Sequence, residues 1–143
     1  MSGADAALRG LVRQWLDKAE EDFAAAEFLV SRDAPYPHVV AFHAQQAAEK
    51  YLKAYLTWRQ VEFPKTHDLD ELLDLVGSVD AALARALQEA DELTPFGVDV
   101  RYPGVFPKVT AEVARRALQV AGEIRAGVLD SLEREIEPGL PRG

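Results

Sequence analysis

The chain has 143 residues and no cysteine, which excludes disulfides, thiolate zinc sites and cysteine nucleophiles. Its 16 lysine and arginine residues against 24 aspartate and glutamate residues give a formal net charge of −8, which argues against a protein that grips duplex DNA non-specifically. The length suits a single domain over residues 1–143, with an ordered core over about 8–136.

Two long amphipathic helices are predicted in the first half of the chain. From Leu8 to Val30 the apolar residues recur every three or four positions, and Pro35 should end this helix. A second helix is predicted over 37–58. Its apolar residues cover an arc of about 160° when successive residues are placed 100° apart. We therefore expect this second helix to lie at the centre of the molecule.

Two shorter helices should follow. Asp68 can cap a third helix, with Glu71 completing a capping box, and Gly77 should end it. Asp80 then starts a fourth helix that continues to Leu93. Both predictions depend on the spacing of leucine and alanine residues, which is helical throughout this region.

The last third of the chain contains a long predicted loop and a final helix. Residues 94–109 include three prolines and two glycines, a composition typical of a loop. Thr110 can cap a fifth helix that continues to Leu132, and the tail from Pro138 should be frayed. No segment alternates with a period of two, so the prediction is an all-α antiparallel bundle of about five helices.

Several kinds of cofactor and compartment find no support in the sequence. The three histidines lack metal-ligand spacing, and there is no phosphate-binding loop or dinucleotide fingerprint, so we expect no cofactor. No apolar segment has the length of a membrane span or a signal peptide, which predicts a cytoplasmic protein. Asparagine is absent and methionine occurs once, a depletion typical of thermostable proteins.

A polar stripe interrupts the apolar second helix. Gln45, Glu49 and Lys53 lie four residues apart and therefore share one face. In one interpretation the stripe is solvated, and its ion pair contributes only about 0.3 to 0.5 kcal/mol. In the other it lines a groove, where an amide, a carboxylate and an ammonium group recognise a polar ligand or a partner helix.

Two further segments could bind phosphate. His67 stands at the predicted start of the third helix, where unpaired N–H groups favour anions; alternatively Thr66 and Asp68 only cap the helix while His67 packs on the preceding turn. Arg101 and Tyr102 could clamp a phosphate and stack on a base. Alternatively, they tie the long loop to acidic residues and fill the edge of the core.

These segments, taken in order, resemble the HEPN family, the higher eukaryote and prokaryote nucleotide-binding domain. The resemblance implies a helical bundle, often dimeric, that binds a nucleotide or RNA and pairs with a minimal nucleotidyltransferase in a complex or toxin–antitoxin pair. It covers about residues 11–132, and the matching segments are Asp22-Phe23-x-x-Ala26, Phe42-His43-x-Gln45-Gln46-Ala47-x-Glu49-Lys50-x-x-Lys53-Ala54, Thr66-His67-Asp68-Leu69 and Arg101-Tyr102-Pro103.

Some members of that family are metal-independent ribonucleases with an arginine, four to six intervening residues and a histidine. Here Arg101 has no histidine at those distances, and seven residues separate Arg59 from His67. The pair Arg32 and His38 has the spacing, but it precedes the second helix, whereas the ribonuclease motif belongs on a later one. The resemblance therefore favours a binding module without catalytic residues over a ribonuclease toxin with a degenerate site.

The candidate binding residues are accordingly Gln45, Glu49, Lys53, His67, Arg101 and Tyr102. If they form one site, Lys53, His67 and Arg101 should lie on one face. A third hypothesis is a helical dimer whose polar stripe serves only assembly. We also expect a homodimer or higher oligomer. The resemblance implies pairing, and one small core cannot readily absorb the aromatic side chains of Trp15, Phe28, Tyr55 and Trp58.

Overall fold

A computed structural model describes residues 2–30, 36–97 and 108–136 of the chain. These residues form five α-helices and one 3-10 helix and contain no strand, which confirms the all-helical bundle. The helices are α1 (Gly3–Val30), α2 (Pro37–Trp58), α3 (Leu69–Val79), α4 (Ala81–Ala86), the 3-10 helix (Gln88–Gly97) and α5 (Ala111–Glu135).

Helix α2 is the central element, as its wide apolar arc predicted. It packs against α1, α3, the 3-10 helix and α5. Alanines make up much of its buried surface, and small side chains let neighbouring helices approach closely. Between them, the side chains of Tyr51 and Tyr55 are fully buried and fill the space on either side.

Several helix boundaries differ from the sequence predictions. Helix α1 begins at Gly3 rather than Leu8, and α3 continues through Gly77 to Val79. Asp68 caps α3 by accepting a hydrogen bond from the Asp70 N–H, 2.9 Å away. The predicted capping box is wrong, because Glu71 accepts a hydrogen bond from the hydroxyl group of Thr66 instead.

The predicted fourth helix is the largest correction. Helix α4 ends at Ala86, and the chain continues as the 3-10 helix, which also takes up residues 94–97 of the predicted loop. The apolar residues here recur every three positions, which places them on one face of a helix with three residues per turn. The residues with this spacing are Leu87, Ala90, Leu93 and Phe96, all packed in or against the core.

A polar network joins three helices inside the bundle. The Tyr51 hydroxyl of α2 donates a hydrogen bond to Glu20 of α1, and Arg125 of α5 donates two, at 2.6 and 3.1 Å, to the same carboxylate. Burial and the bond to Glu20 raise the pKa of Tyr51. Burial alone would raise the pKa of Glu20, but the bonds from Arg125 and Tyr51 outweigh it and lower that pKa.

The surface shows fewer exposed aromatic side chains than expected. Tyr55 is fully buried within the single chain, and Trp15 and Trp58 are half-buried against the core, whereas Phe28 is 60% exposed. The aromatic argument for a dimer therefore loses Tyr55. Among the described residues, no helix combines the length and the apolar character needed to cross a membrane.

Candidate functional site

Four of the six predicted binding residues meet around one carboxylate. Lys53 Nζ lies 3.0 Å from Glu49 Oε2, and His67 Nδ1 lies 2.8 Å from Glu49 Oε1. The Gln45 side-chain amide donates to the backbone carbonyl of His67 at 3.1 Å and lies 3.4 Å from Glu49 Oε1. We call Gln45, Glu49, Lys53 and His67 the Glu49 cluster.

Most of the Glu49 cluster is buried. The exposed fractions of Gln45, Glu49 and Lys53 are 0%, 3% and 7%. The interpretation of these residues as a solvated stripe is therefore wrong. Burial of an ion pair is costly unless its geometry is good and its remaining hydrogen-bonding groups are satisfied. In the described part of the chain, no buried side-chain nitrogen or oxygen lacks a partner.

Two aromatic rings hold the ammonium group of Lys53. Its Nζ lies 5.5 Å from the ring centroid of Trp15 and 5.8 Å from that of Phe63. The rings themselves meet edge to face at 6.0 Å. A cation is attracted to the face of an aromatic ring, so these contacts add to the pairing with Glu49. Lys53 is thus a structural cation, with little surface left for a ligand.

His67 is the exposed member of the cluster. Its side chain is 70% exposed, although its Nδ1 reaches a carboxylate that is only 4% exposed. Because a carboxylate can only accept, Nδ1 donates, and Nε2 is the ring nitrogen that a ligand can reach. Thr66 and Asp68 do form capping bonds. The alternative that His67 merely packs on the preceding turn is wrong.

Arg101 and Tyr102 lie outside the described residues, so whether Arg101 shares a face with Lys53 and His67 stays a prediction. Gly97 is the last described residue before them, and it packs directly on Gln45. A Cβ atom at Gly97 would lie 2.7 Å from Gln45 Cδ and 2.8 Å from Gln45 Nε2. Sequence reasoning missed Gly97, because nothing local links it to a glutamine 52 positions earlier.

Replacing Gly97 by alanine should displace the Gln45 amide and loosen His67. We expect a loss of about 1 to 3 kcal/mol in the free energy of unfolding, the cost of overpacking, together with changed NMR shifts of the His67 imidazole. Gly127→Ala is the matched control, because its Cβ would meet Leu87 Cδ2 at 2.9 Å. That variant should lose stability without moving the His67 signals. Unchanged His67 signals in Gly97→Ala would contradict this role.

A second polar cluster, which we call the Asp22 cluster, joins α1 and α2. His43 Nδ1 lies 2.9 Å from Asp22 Oδ1, and Lys50 donates to Asp22 Oδ2. The exposed fractions of the His43, Lys50 and Asp22 side chains are 31%, 20% and 14%. The ring of half-buried Phe42 meets that of His43 edge to face at 5.7 Å. These residues carry part of the sequence resemblance, but they were not predicted as a site.

The two clusters differ in charge from the neighbouring surface of α3. Within them Lys50 and Lys53 offset Asp22 and Glu49, so the side chains sum to zero when both imidazoles are neutral. On α3, burial and the carboxylates of Asp91, Asp68 and Asp74 raise the pKa of Asp70, which marks an acidic surface. Asp68 directly follows His67 in the chain, so this acidic surface begins beside the Glu49 cluster.

The described residues also bear on two other kinds of site, a metal centre and a ribonuclease pair of arginine and histidine. In residues 2–30, 36–97 and 108–136, no group of three or more His, Asp or Glu side chains is placed to hold a metal ion. Arg59 donates to the Tyr55 hydroxyl at 2.8 Å and pairs with Glu135 at 3.4 Å. Its guanidinium is thus engaged at the far end of α2 from His43. Arg32, which has the ribonuclease spacing to His38, lies outside the described residues.

Comparisons with known proteins agree with this architecture. The model of the HEPN domain family matches residues 12–131. The crystal structure of ST0689, an archaeal HEPN homologue, has 24% identity and a TM-score of 0.65, with 85% of this chain and 98% of that chain covered. TT1696 from Thermus thermophilus has 27% identity and a TM-score of 0.66, with the same coverage. A search of curated proteins gave no significant match.

Proposed function

We propose that this chain, which belongs to the HEPN domain family, is a helical binding module. In this proposal it holds a nucleotide or RNA and has no catalytic residues of its own. The observation that carries this proposal is the exposed imidazole of His67 on the buried carboxylate of Glu49. The proposed partner is a minimal nucleotidyltransferase, with which the chain forms a toxin–antitoxin-like pair.

The geometry of His67 suits a phosphate. The Glu49 carboxylate accepts from Nδ1, which orients the ring and leaves Nε2 as the nitrogen that can contact a ligand. An imidazole that carries protons on both nitrogens can donate a charge-assisted hydrogen bond from Nε2 to a phosphate oxygen. Since Lys53 already pairs with Glu49 inside the protein, the carboxylate does not depend on His67 as a counterion.

His67→Asn tests this contact directly. The asparagine amide can still donate towards Glu49, but it has no atom at the position of Nε2. We expect AMP or a short oligoadenylate to bind more weakly by about 1.5 to 3 kcal/mol, the range for a hydrogen bond to a charged group. Isothermal titration calorimetry at low salt is the measurement, because exposed charges are screened at high salt.

His38→Asn is the matched control, since His38 is an exposed histidine at the start of α2 and forms no part of either cluster. Its affinity should equal that of the unchanged protein. Equal affinities for His67→Asn and the unchanged protein would contradict the proposed site. Arg101→Ala and Tyr102→Ala extend the series, because the sequence proposes them as a phosphate contact and a stacking surface.

The same titrations distinguish the binding module from the remaining alternative, a polar cluster that serves only folding and assembly. Gln45, Glu49 and Lys53 bond to one another, as they would in a cluster that serves only folding and assembly. Absence of nucleotide and RNA binding in the unchanged protein would favour that assembly role. Cleavage of RNA by the purified protein, abolished in His67→Asn, would instead assign a ribonuclease.

We also propose that the chain is a homodimer which binds the nucleotidyltransferase. Three large apolar side chains in the described residues are exposed, those of Leu11, Phe28 and Tyr36, at 50%, 60% and 66%. Light scattering should give twice the mass of 15.8 kDa at high micromolar concentration. Co-expression with a nucleotidyltransferase encoded beside it should yield one complex in gel filtration. A monomer that elutes apart from the transferase would contradict both parts.

A further inference from the structure

We infer that Thr94 of the 3-10 helix is a positioning residue for His67, and that the affinity for a nucleotide therefore depends on a side chain that does not touch it. This inference rests on the proposed function and deepens it. The Thr94 hydroxyl oxygen accepts a hydrogen bond from the backbone N–H of Leu69 at 3.1 Å, across 25 positions of the chain. The bond fastens the start of α3, two residues after His67, to the 3-10 helix.

The backbone donors at the start of α3 are engaged. The N–H groups of Asp68, Leu69 and Asp70 bond to side-chain oxygens of Thr66, Thr94 and Asp68, at 3.0, 3.1 and 2.9 Å respectively. A helix N-terminus binds an anion through N–H groups that lack such a partner. Because these three have partners, the proposed phosphate contact depends on Nε2 of His67, and the position of that ring decides its strength.

The segment that carries His67 has no regular structure of its own. Residues 61–68 contain neither helix nor strand, so tertiary contacts hold them in place. The imidazole donates to Glu49 at 2.8 Å, and the His67 carbonyl accepts from Gln45 at 3.1 Å. The bond from Leu69 to Thr94 fixes the chain immediately after this point. Since hydrogen bonds weaken steeply as their angle departs from linearity, a small displacement of the segment would weaken the contact from Nε2.

One face of the 3-10 helix acts on His67 at two points. Thr94 and Gly97 are three residues apart, one turn of a helix with three residues per turn, so they share a face. Thr94 bonds to Leu69. Gly97 packs on the Gln45 amide, which donates to the carbonyl of His67. The 3-10 helix therefore holds His67 both through the following chain and through its carbonyl partner.

Thr94→Val tests the bond, because valine has nearly the shape of threonine but no oxygen. The N–H of Leu69 would lose its acceptor, and the start of α3 should shift to find another. We expect the imidazole NMR signals of His67 to move in the ligand-free protein. AMP should bind about three- to tenfold more weakly, a smaller loss than in His67→Asn because the ring is displaced and not removed. Isothermal titration calorimetry of the full chain at low salt measures the affinity.

Two further variants separate positioning from a general loss of stability. Thr94→Ser keeps the hydroxyl oxygen and should restore both the His67 signals and the affinity for AMP. Thr110→Val is the matched control, because Thr110 Oγ1 accepts from the Val113 N–H at 3.2 Å at the start of α5. That variant also loses a threonine cap, so its melting temperature should fall. Its His67 signals and its affinity for AMP should not change.

Hydrogen exchange in the unchanged protein tests the same link without a substitution, and it decides the matter if Thr94→Val does not fold. The Leu69 amide should exchange slowly, because its N–H is bonded to Thr94. AMP should slow this exchange more than that of the Val113 amide, since only the Leu69 amide is coupled to His67. A Leu69 amide that exchanges as fast as an exposed one, or that AMP leaves unaffected, would overturn the inference.

Three results with the variants would also overturn the role of Thr94 while leaving the proposed function intact. They are unchanged His67 signals and affinity in Thr94→Val, a Thr94→Ser variant that binds AMP as weakly as Thr94→Val, and an equal loss of affinity in Thr110→Val. If the unchanged protein binds neither AMP nor an oligoadenylate, the proposed function itself fails. The His67 signals of ligand-free Thr94→Val would then still show whether Thr94 positions the ring.

Discussion

Tyr51→Ala should lower the free energy of unfolding by about 3 to 5 kcal/mol, the range for truncating a large buried aromatic side chain. The Tyr51 side chain is fully buried in the central helix, and its hydroxyl donates to Glu20. The substitution removes both the packing and that bond. Urea denaturation followed by circular dichroism measures the loss. Gln14→Ala is the control, because Gln14 is an exposed residue of α1 and should have little effect.

A loss below about 1 kcal/mol for Tyr51→Ala would contradict the central position of α2. Tyr51→Phe separates the hydroxyl from the ring and should show a pH dependence. Burial and Glu20 raise the pKa of Tyr51 above its ordinary value, which is near 10. The unfolded chain therefore releases this proton first, and stability should fall as the pH rises above about 10.

Tyr51→Phe should reduce that alkaline loss of stability. Part of the loss should remain, because burial also raises the pKa of Tyr55 in the same helix. Between about pH 7 and 9, where the tyrosine stays protonated in both states, the difference between Tyr51→Phe and the unchanged protein should be constant. An equal alkaline slope in both proteins would show that the folded-state pKa of Tyr51 is not raised.

The second large effect concerns the buried ion pair. Glu49→Ala should lower the free energy of unfolding by about 3 to 5 kcal/mol, because it leaves the Lys53 ammonium buried without a counterion. The rings of Trp15 and Phe63 remain beside that ammonium but do not neutralise it. The combined variant Glu49→Ala with Lys53→Met should recover part of the loss, since it no longer buries an unpaired charge.

The exposed ion pairs of Arg116 provide the matched control. Arg116 lies 3.1 Å from Glu89 and 2.9 Å from Glu92, distances close to that between Lys53 and Glu49. All three of these side chains are more than 40% exposed, so Arg116→Ala should change stability little. Equal losses in Glu49→Ala and Arg116→Ala would show that burial does not govern the cost.

Much of the fold could be predicted because helical periodicity is a local property. The spacing of apolar residues placed α1, α2 and α5, and the width of the apolar arc on α2 identified the central helix. The caps Asp80 and Thr110 were also predicted, since each bonds to an N–H only three residues away. The 3-10 helix was missed, although its apolar residues have a period of three.

The candidate site could be predicted only in part. Its residues were identified because Gln45, Glu49 and Lys53 interrupt an apolar helix at regular spacing, and His67 stands beside a capping residue. The sequence could not decide whether the stripe is solvated or buried, because burial depends on what covers α2. The covering residues, Trp15, Phe63 and Gly97, come from three other segments of the chain.

By itself, the sequence determined that the protein is an all-helical bundle with α2 at its centre, since both follow from patterns within single helices. The tertiary structure alone decided which polar residues meet. Arg125 bonds to Glu20 across 105 positions, and His43 bonds to Asp22 across 21. Such pairs depend on the register and rotation of one helix against another, which the packing of the whole core determines and no local pattern records.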